Sequence, residues 1–121
     1  MNTEKLIAAL LGALLIMSWP LVSYAHVHMD RSVPEDHAHL NKAPKSVQVW
    51  FSGGVAAEWS KIIVTDANGE RVDHGAVANA AGPKQLSIDL KPLVPGVYEV
   101  KLNVISGDGH RVKGSFSFTV E

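Results

Sequence analysis

From Ser46 to the last residue, apolar side chains return at every second position, and this period restricts the fold more than any other feature. Val47, Val49 and Phe51 alternate with Gln48 and Trp50, and Leu86, Ile88 and Leu90 alternate with Ser87 and Asp89. Tyr98, Val100, Leu102 and Val104 oppose Glu99, Lys101 and Asn103, while Val112, Phe116, Phe118 and Val120 share a face with Gly114. Successive side chains of a strand point to opposite faces, so the pattern predicts half-buried strands with one wet face. Lys61-Ile62-Ile63-Val64-Thr65 adds a β-branched run, closed by Asp66-Ala67-Asn68-Gly69, where Asn-Gly marks a turn.

No stretch after residue 26 carries a helical stripe of useful length. Strands separated by Gly, Pro or Asn recur roughly every 10 to 15 residues, the spacing of an antiparallel sandwich or barrel. An edge strand over residues 27–33 running into Pro34, and a weak one from Arg71 to Val77, bring the expected number to about seven. The expected class is all-β, a small antiparallel immunoglobulin-like β-sandwich or barrel. Pro95-Gly96 sets a turn before Tyr98. Its hydroxyl either folds back onto upstream backbone, as in the tyrosine corner of sandwiches, or stays in water.

The first 25 residues read differently. Met1 to Lys5 is a short polar start, Leu6 to Met17 is apolar, and Ser23-Tyr24-Ala25 fits the small-x-small pattern of a signal-peptidase site. The apolar run is shorter than the roughly 18 to 20 residues of a spanning helix, and Pro20 interrupts it. Residues 1–25 are therefore expected to be a cleaved signal peptide and residues 26–121 a single secreted domain, with no membrane insertion after cleavage. The sequence holds no cysteine, so disulfides and thiolate ligands are excluded, and stability must come from the apolar core. Its net charge is −1 with the signs interspersed, which gives no nucleic-acid footprint.

Six histidines are many for this length, and His26, His28, His37 and His39 crowd the start of the expected mature chain. Cleavage after Ala25 would give His26 a free α-amine beside its imidazole, a ready chelate for a divalent metal. Both groups lose their protons at little cost near neutral pH. A distant partner is Asp108-Gly109-His110, whose Asp-Gly is also a good hairpin turn. An extended backbone there would put Asp108 and His110 on one face. Together these residues offer three nitrogens and one oxygen, a set suited to tetragonal Cu(II) and also acceptable to Zn(II).

His28 offers a rival. An amine followed by histidine at the third position can hold Cu(II) through the amine, two deprotonated backbone amides and that imidazole. A preorganised sandwich favours the folded site, so His28 ranks second. His37 and His39 follow Pro34-Glu35-Asp36 in an expected solvated loop. No Ser-His-Asp order, phosphate-binding glycine loop or paired-carboxylate motif stands out. Met29 is the one methionine beyond residue 25, too few for a thioether-rich Cu(I) site.

The motifs resemble, in order, those of the CopC copper-resistance family. They are His26-x-His28, Ser32-x-Pro34, Ala43-Pro44, Phe51-Ser52 and Val64-Thr65-Asp66-x-x-Gly69, then Pro95-Gly96-x-Tyr98, Ser106-x-Asp108-Gly109-His110 and Gly114-x-Phe116-x-Phe118-x-Val120. The resemblance implies an immunoglobulin- or cupredoxin-like sandwich in the periplasm that binds one Cu(II) per chain through His26, Asp108 and His110. It also implies a monomer that sequesters copper or passes it to an inner-membrane transporter of the CopD type. Two departures stand out: many members carry Glu after Phe-Ser where this chain has Gly53, and the Met-rich loop of some members is missing. The expectation is a Cu(II)-only, non-enzymatic binding protein. The rivals are a copper mono-oxygenase with an N-terminal histidine site and a secreted structural or adhesion sandwich with incidental histidines.

Overall fold

In a computed structural model that describes residues 26–121, the alternating segments form eight strands in two four-stranded sheets. The expected signal peptide lies outside the described residues. The strands are β1 (Met29–Val33), β2 (Ala38–Leu40), β3 (Ser46–Phe51), β4 (Lys61–Thr65), β5 (Asp73–Ala78), β6 (Gln85–Leu90), β7 (Gly96–Ile105) and β8 (Arg111–Val120). One sheet runs β1-β3-β6-β5 and the other β2-β8-β7-β4. No helix among the described residues is long and apolar enough to cross a membrane.

The period-two pattern decides which face is buried. Val47, Val49, Leu86 and Ile88 of one sheet meet Ile62, Val64, Val100, Val104 and Phe118 of the other, all 1% exposed or less. Sixteen apolar residues make this single core, so burial rather than cross-linking holds the cysteine-free domain together. Tyr98 resolves to the corner arrangement: its hydroxyl donates to the Val94 carbonyl at 2.6 Å while its ring stacks on Phe118. Asp73 is the one buried carboxylate among the described residues, tied to the Val64 N–H (2.8 Å), the Gly75 N–H (2.9 Å) and Arg71.

The eighth strand departs from the expected loop. Ala38, His39 and Leu40 pair in parallel with Phe118, Thr119 and Val120, so the sandwich is not wholly antiparallel. Asp36 and His37 prepare this strand: the His37 N–H donates to the Ser117 carbonyl, and the Ser117 N–H donates to Asp36 Oδ1. Three residues are too few to show a period.

Two features of the topology bring the first described residues to one end of the sandwich. β1 pairs antiparallel with β3, Met29 opposite Phe51, with a register shift between Met29 and Arg31. β7 and β8 form a long hairpin whose turn lies between Ile105 and Arg111. A groove of about 210 Å³ runs between these parts, lined by Val27, Met29, Phe51, Leu102 and Val112 among others. Residue 26 thus emerges beside the β7–β8 turn.

Candidate metal centre

The β7–β8 turn is tightly specified. The Gly109 N–H donates to the Ser106 carbonyl at 2.9 Å, and Gly109 takes a φ of +86°, which a side chain would oppose. Ser106 is buried and forms its hub. The hydroxyl donates to Asp108 Oδ1 and accepts the His110 N–H at 3.1 Å. Behind it, the Gly107 N–H donates to the Gly54 carbonyl at 2.8 Å, and Val55 bridges Ser106, fastening the turn to the β3–β4 connection.

This framework sets Asp108 Oδ2 2.9 Å from His110 Nδ1. The expected pairing of carboxylate and imidazole is present, but the cause differs from the expected extended backbone. The turn curls through Gly109, and Ser106 gathers both residues from below. The Ser106 hydroxyl, then His110, hold the Asp108 carboxyl down to about 2, so it is an anion throughout the range where a divalent metal would meet it.

His26 joins from the other end of the chain. Its ring lies edge-on to that of His110, with centroids 5.5 Å apart and planes at 86°. Two imidazoles sharing one metal, each nitrogen about 2.0–2.1 Å from it, have centroids roughly 4 to 6.5 Å apart depending on the angle between them. The observed separation falls inside that window. Among the described residues no three His, Asp or Glu side chains already converge as a bound ion would hold them. The fold supplies His26 beside His110, and His110 beside Asp108.

The other histidines are engaged elsewhere. His28 Nε2 lies 3.0 Å from Asp30 Oδ1, His37 Nε2 lies 3.4 Å from Asp36 Oδ2, and His39 Nδ1 lies 2.6 Å from Glu121 Oε1. His39 sits opposite Thr119, eight residues along β8 from Arg111. At about 3.3 Å per residue that is roughly 26 Å from the turn. His74 is exposed on β5. The residues that sequence reasoning passed over are Ser52 and Ser106. Ser106 stood in a quoted motif, yet a serine in a strand-and-turn sequence carries no mark of what its hydroxyl holds.

Gly53 has a structural counterpart in Val27. A Cβ built at Gly53 would stand 2.8 Å from Val27 Cγ2. The space that a side chain at position 53 would first enter is met here by a methyl group of Val27, the residue next to His26.

Fold and site together define a small two-sheet sandwich that presents histidines from just before its first strand and from its last hairpin, with a buttressed carboxylate, at one end of the structure. Comparison places this class: the CopC domain profile matches residues 29–121, and the chain belongs to the CopC family. Protein YobA of Escherichia coli K12 is 34% identical over 114 residues, covering 90% of this chain and 92% of its own. The copper transport protein CutJ of Bacillus subtilis is 30% identical over 88% of this chain, a match spanning only 20% of CutJ. Among solved structures, CopC from Methylosinus trichosporium OB3b superposes with a TM-score of 0.74 at 35% identity, covering 79% of this chain and 94% of its own. PcoC from Escherichia coli, a methionine-rich copper resistance protein, gives a TM-score of 0.67 at 31% identity, covering 80% of this chain and all of its own.

Proposed function

We propose that residues 26–121, freed of residues 1–25, form a periplasmic carrier of one Cu(II) ion per chain. The ligands are the α-amine and imidazole of His26, the carboxylate of Asp108 and the imidazole of His110. The observation that carries this reading is the approach of His26 to His110 while Asp108 lies on the same imidazole. Three nitrogens and one oxygen suit tetragonal Cu(II), which also leads the divalent affinity order. Relatives described as copper resistance and copper transport proteins support the choice of metal.

The role is binding and delivery rather than catalysis, exercised by a monomer. The site lies at the exposed end of the sandwich, with His110 64% and Asp108 52% exposed, open enough for a bound ion to be handed over. The recipient in this reading is an inner-membrane transporter of the CopD type; that CutJ, one fifth of which the match spans, is a copper transport protein supports a role in copper transport. Sequestration and delivery are two uses of the same site.

The decisive measurement is Cu(II) titration with paramagnetic resonance on two proteins, one beginning at His26 and one carrying an extra Gly before it. Loss of affinity and a changed spectrum in the extended protein are expected, because its amine no longer chelates with the His26 ring. Equal affinity and spectrum would overturn the reading. Mass spectrometry of the exported protein's N-terminus tests the cleavage.

A further inference from the structure

The same N-terminus could capture copper without the rest of the domain. The four-nitrogen mode open to a chain beginning His26-Val27-His28 needs three successive residues to wrap around the metal in one plane. The His28 amide must give up its hydrogen to become a ligand, and the His28 ring must swing in beside it. Here the amide is already engaged, and the ring is anchored through Nε2, the nitrogen opposite the Nδ1 that this mode would use. The His28 N–H donates to Ser52 Oγ at 3.0 Å, and the Ser52 N–H returns a bond to the His28 carbonyl at 2.9 Å. The His28 ring lies on Asp30, Nε2 to Oδ1 at 3.0 Å. Between them, Val27 packs its side chain against the core and fills the space above Gly53. The paired bonds between His28 and Ser52 oppose the curl that the local mode requires.

We infer that Ser52 and Asp30 are positioning residues that withhold His28 from copper and so direct the ion to the folded site shared by His26, Asp108 and His110. This rests on the reading proposed above and adds a selection between two binding modes. Neither residue is a ligand. Ser52 acts through the His28 amide and Asp30 through the His28 ring. A lost hydrogen bond moves an equilibrium by about two- to tenfold, and the exposed pair to Asp30 by less, so removing both should shift the balance measurably toward the local mode.

The test uses the protein beginning at His26, with one equivalent of Cu(II), read by visible absorption and paramagnetic resonance. In the parent, His110→Ala should change the spectrum. In Ser52→Ala/Asp30→Ala, the visible band should move toward shorter wavelength with couplings from four nitrogens, and adding His110→Ala should then change the spectrum less than in the parent. Ser52→Thr, which keeps the acceptor, should retain the parent spectrum. Adding His28→Ala to the double variant should return the metal to the His110-dependent site, a recovery that damage to the fold would not give. In the metal-free parent, the His28 amide should exchange with solvent several-fold more slowly than that of Val27.

A double variant with the parent spectrum and undiminished dependence on His110 would overturn the inference alone. A parent indifferent to His110→Ala would overturn the functional reading and the inference with it. A His28 amide that exchanges as fast as that of Val27 would remove the physical basis of the selection.

Discussion

The imidazole of His26 stands edge-on to that of His110, 5.5 Å between centroids, though the two residues come from opposite ends of the domain. The contact depends on two separate attachments, β1 to β3 at the chain's start and the Ser106 hub at the β7–β8 turn. Ligands and the groups that hold them should therefore be separable by mutation. His110→Ala should lower Cu(II) affinity by more than about a hundredfold. Ser106→Ala, which leaves every ligand present but unbuttressed, should lower it by about ten- to a hundredfold. Competition titration against a chelator of known affinity measures both.

Asp73 links the stability of the metal-free fold to pH. Burial alone would raise its pKa, but the Arg71 guanidinium and the N–H groups of Val64 and Gly75 outweigh that and hold it below the ordinary 3.8. Arg71 is half exposed, so solvent partly screens its bidentate pair with the buried Asp73 carboxylate. The buried Val64 N–H decides the outcome: Asp73→Ala leaves it without a partner and should destabilise the domain by about 1–3 kcal/mol. A carboxyl with a depressed folded pKa stabilises above its unfolded value and loses that contribution as pH falls through the folded one. In urea unfolding, the gap between parent and variant should be constant above about pH 5 and narrow below 3.8.

Tyr98 and Phe118 separate ring from hydroxyl in the core. Their rings stack at 5.4 Å, and only the tyrosine adds a hydrogen bond, to Val94. Tyr98→Phe keeps the stack and should cost about 1 kcal/mol. Phe118→Ala opens a cavity at a residue 1% exposed and should cost about 3–5 kcal/mol. Thermal unfolding should rank them in that order, and the reverse order would show that the corner bond, not packing, fastens β7.

How far the sequence disclosed this molecule follows from which forces leave a period. Burial on one face does, so β3, β6, β7 and β8 were legible from alternation, and even β5 was anticipated near Arg71 to Val77. β2 was not, because its three residues are placed by backbone bonds from His37 and side-chain bonds from Asp36 rather than by an apolar pattern. The meeting of Asp108 with His110 was legible from their spacing, though it arises from a glycine turn and not from a strand. The hydroxyls of Ser52 and Ser106 were illegible as supports, because their partners, backbone N–H groups and for Ser106 also the Asp108 carboxylate, come to them only after folding.

Val27 and Gly53 give the most demanding test of the site's construction. A side chain at position 53 would require Val27 to shift, since its Cβ would meet Val27 Cγ2 at 2.8 Å. Gly53→Glu alone should push Val27 aside, displace the adjoining His26 and lower Cu(II) affinity by about tenfold, a loss of the size that outer contacts to a metal site carry. Val27→Ala alone should lower stability modestly by removing a side chain packed against the core. Combined, the two changes exchange one occupant for another: the methyl groups leave the space that the new side chain enters, and a carboxylate joins the segment whose Gly54 carbonyl holds the β7–β8 turn. The double variant should bind at least as tightly as the parent. Neighbours in contact are where additivity fails, so a cycle of the four proteins, read by Cu(II) competition, should show a favourable coupling. Additive losses would mean that Val27 does not control access to position 53.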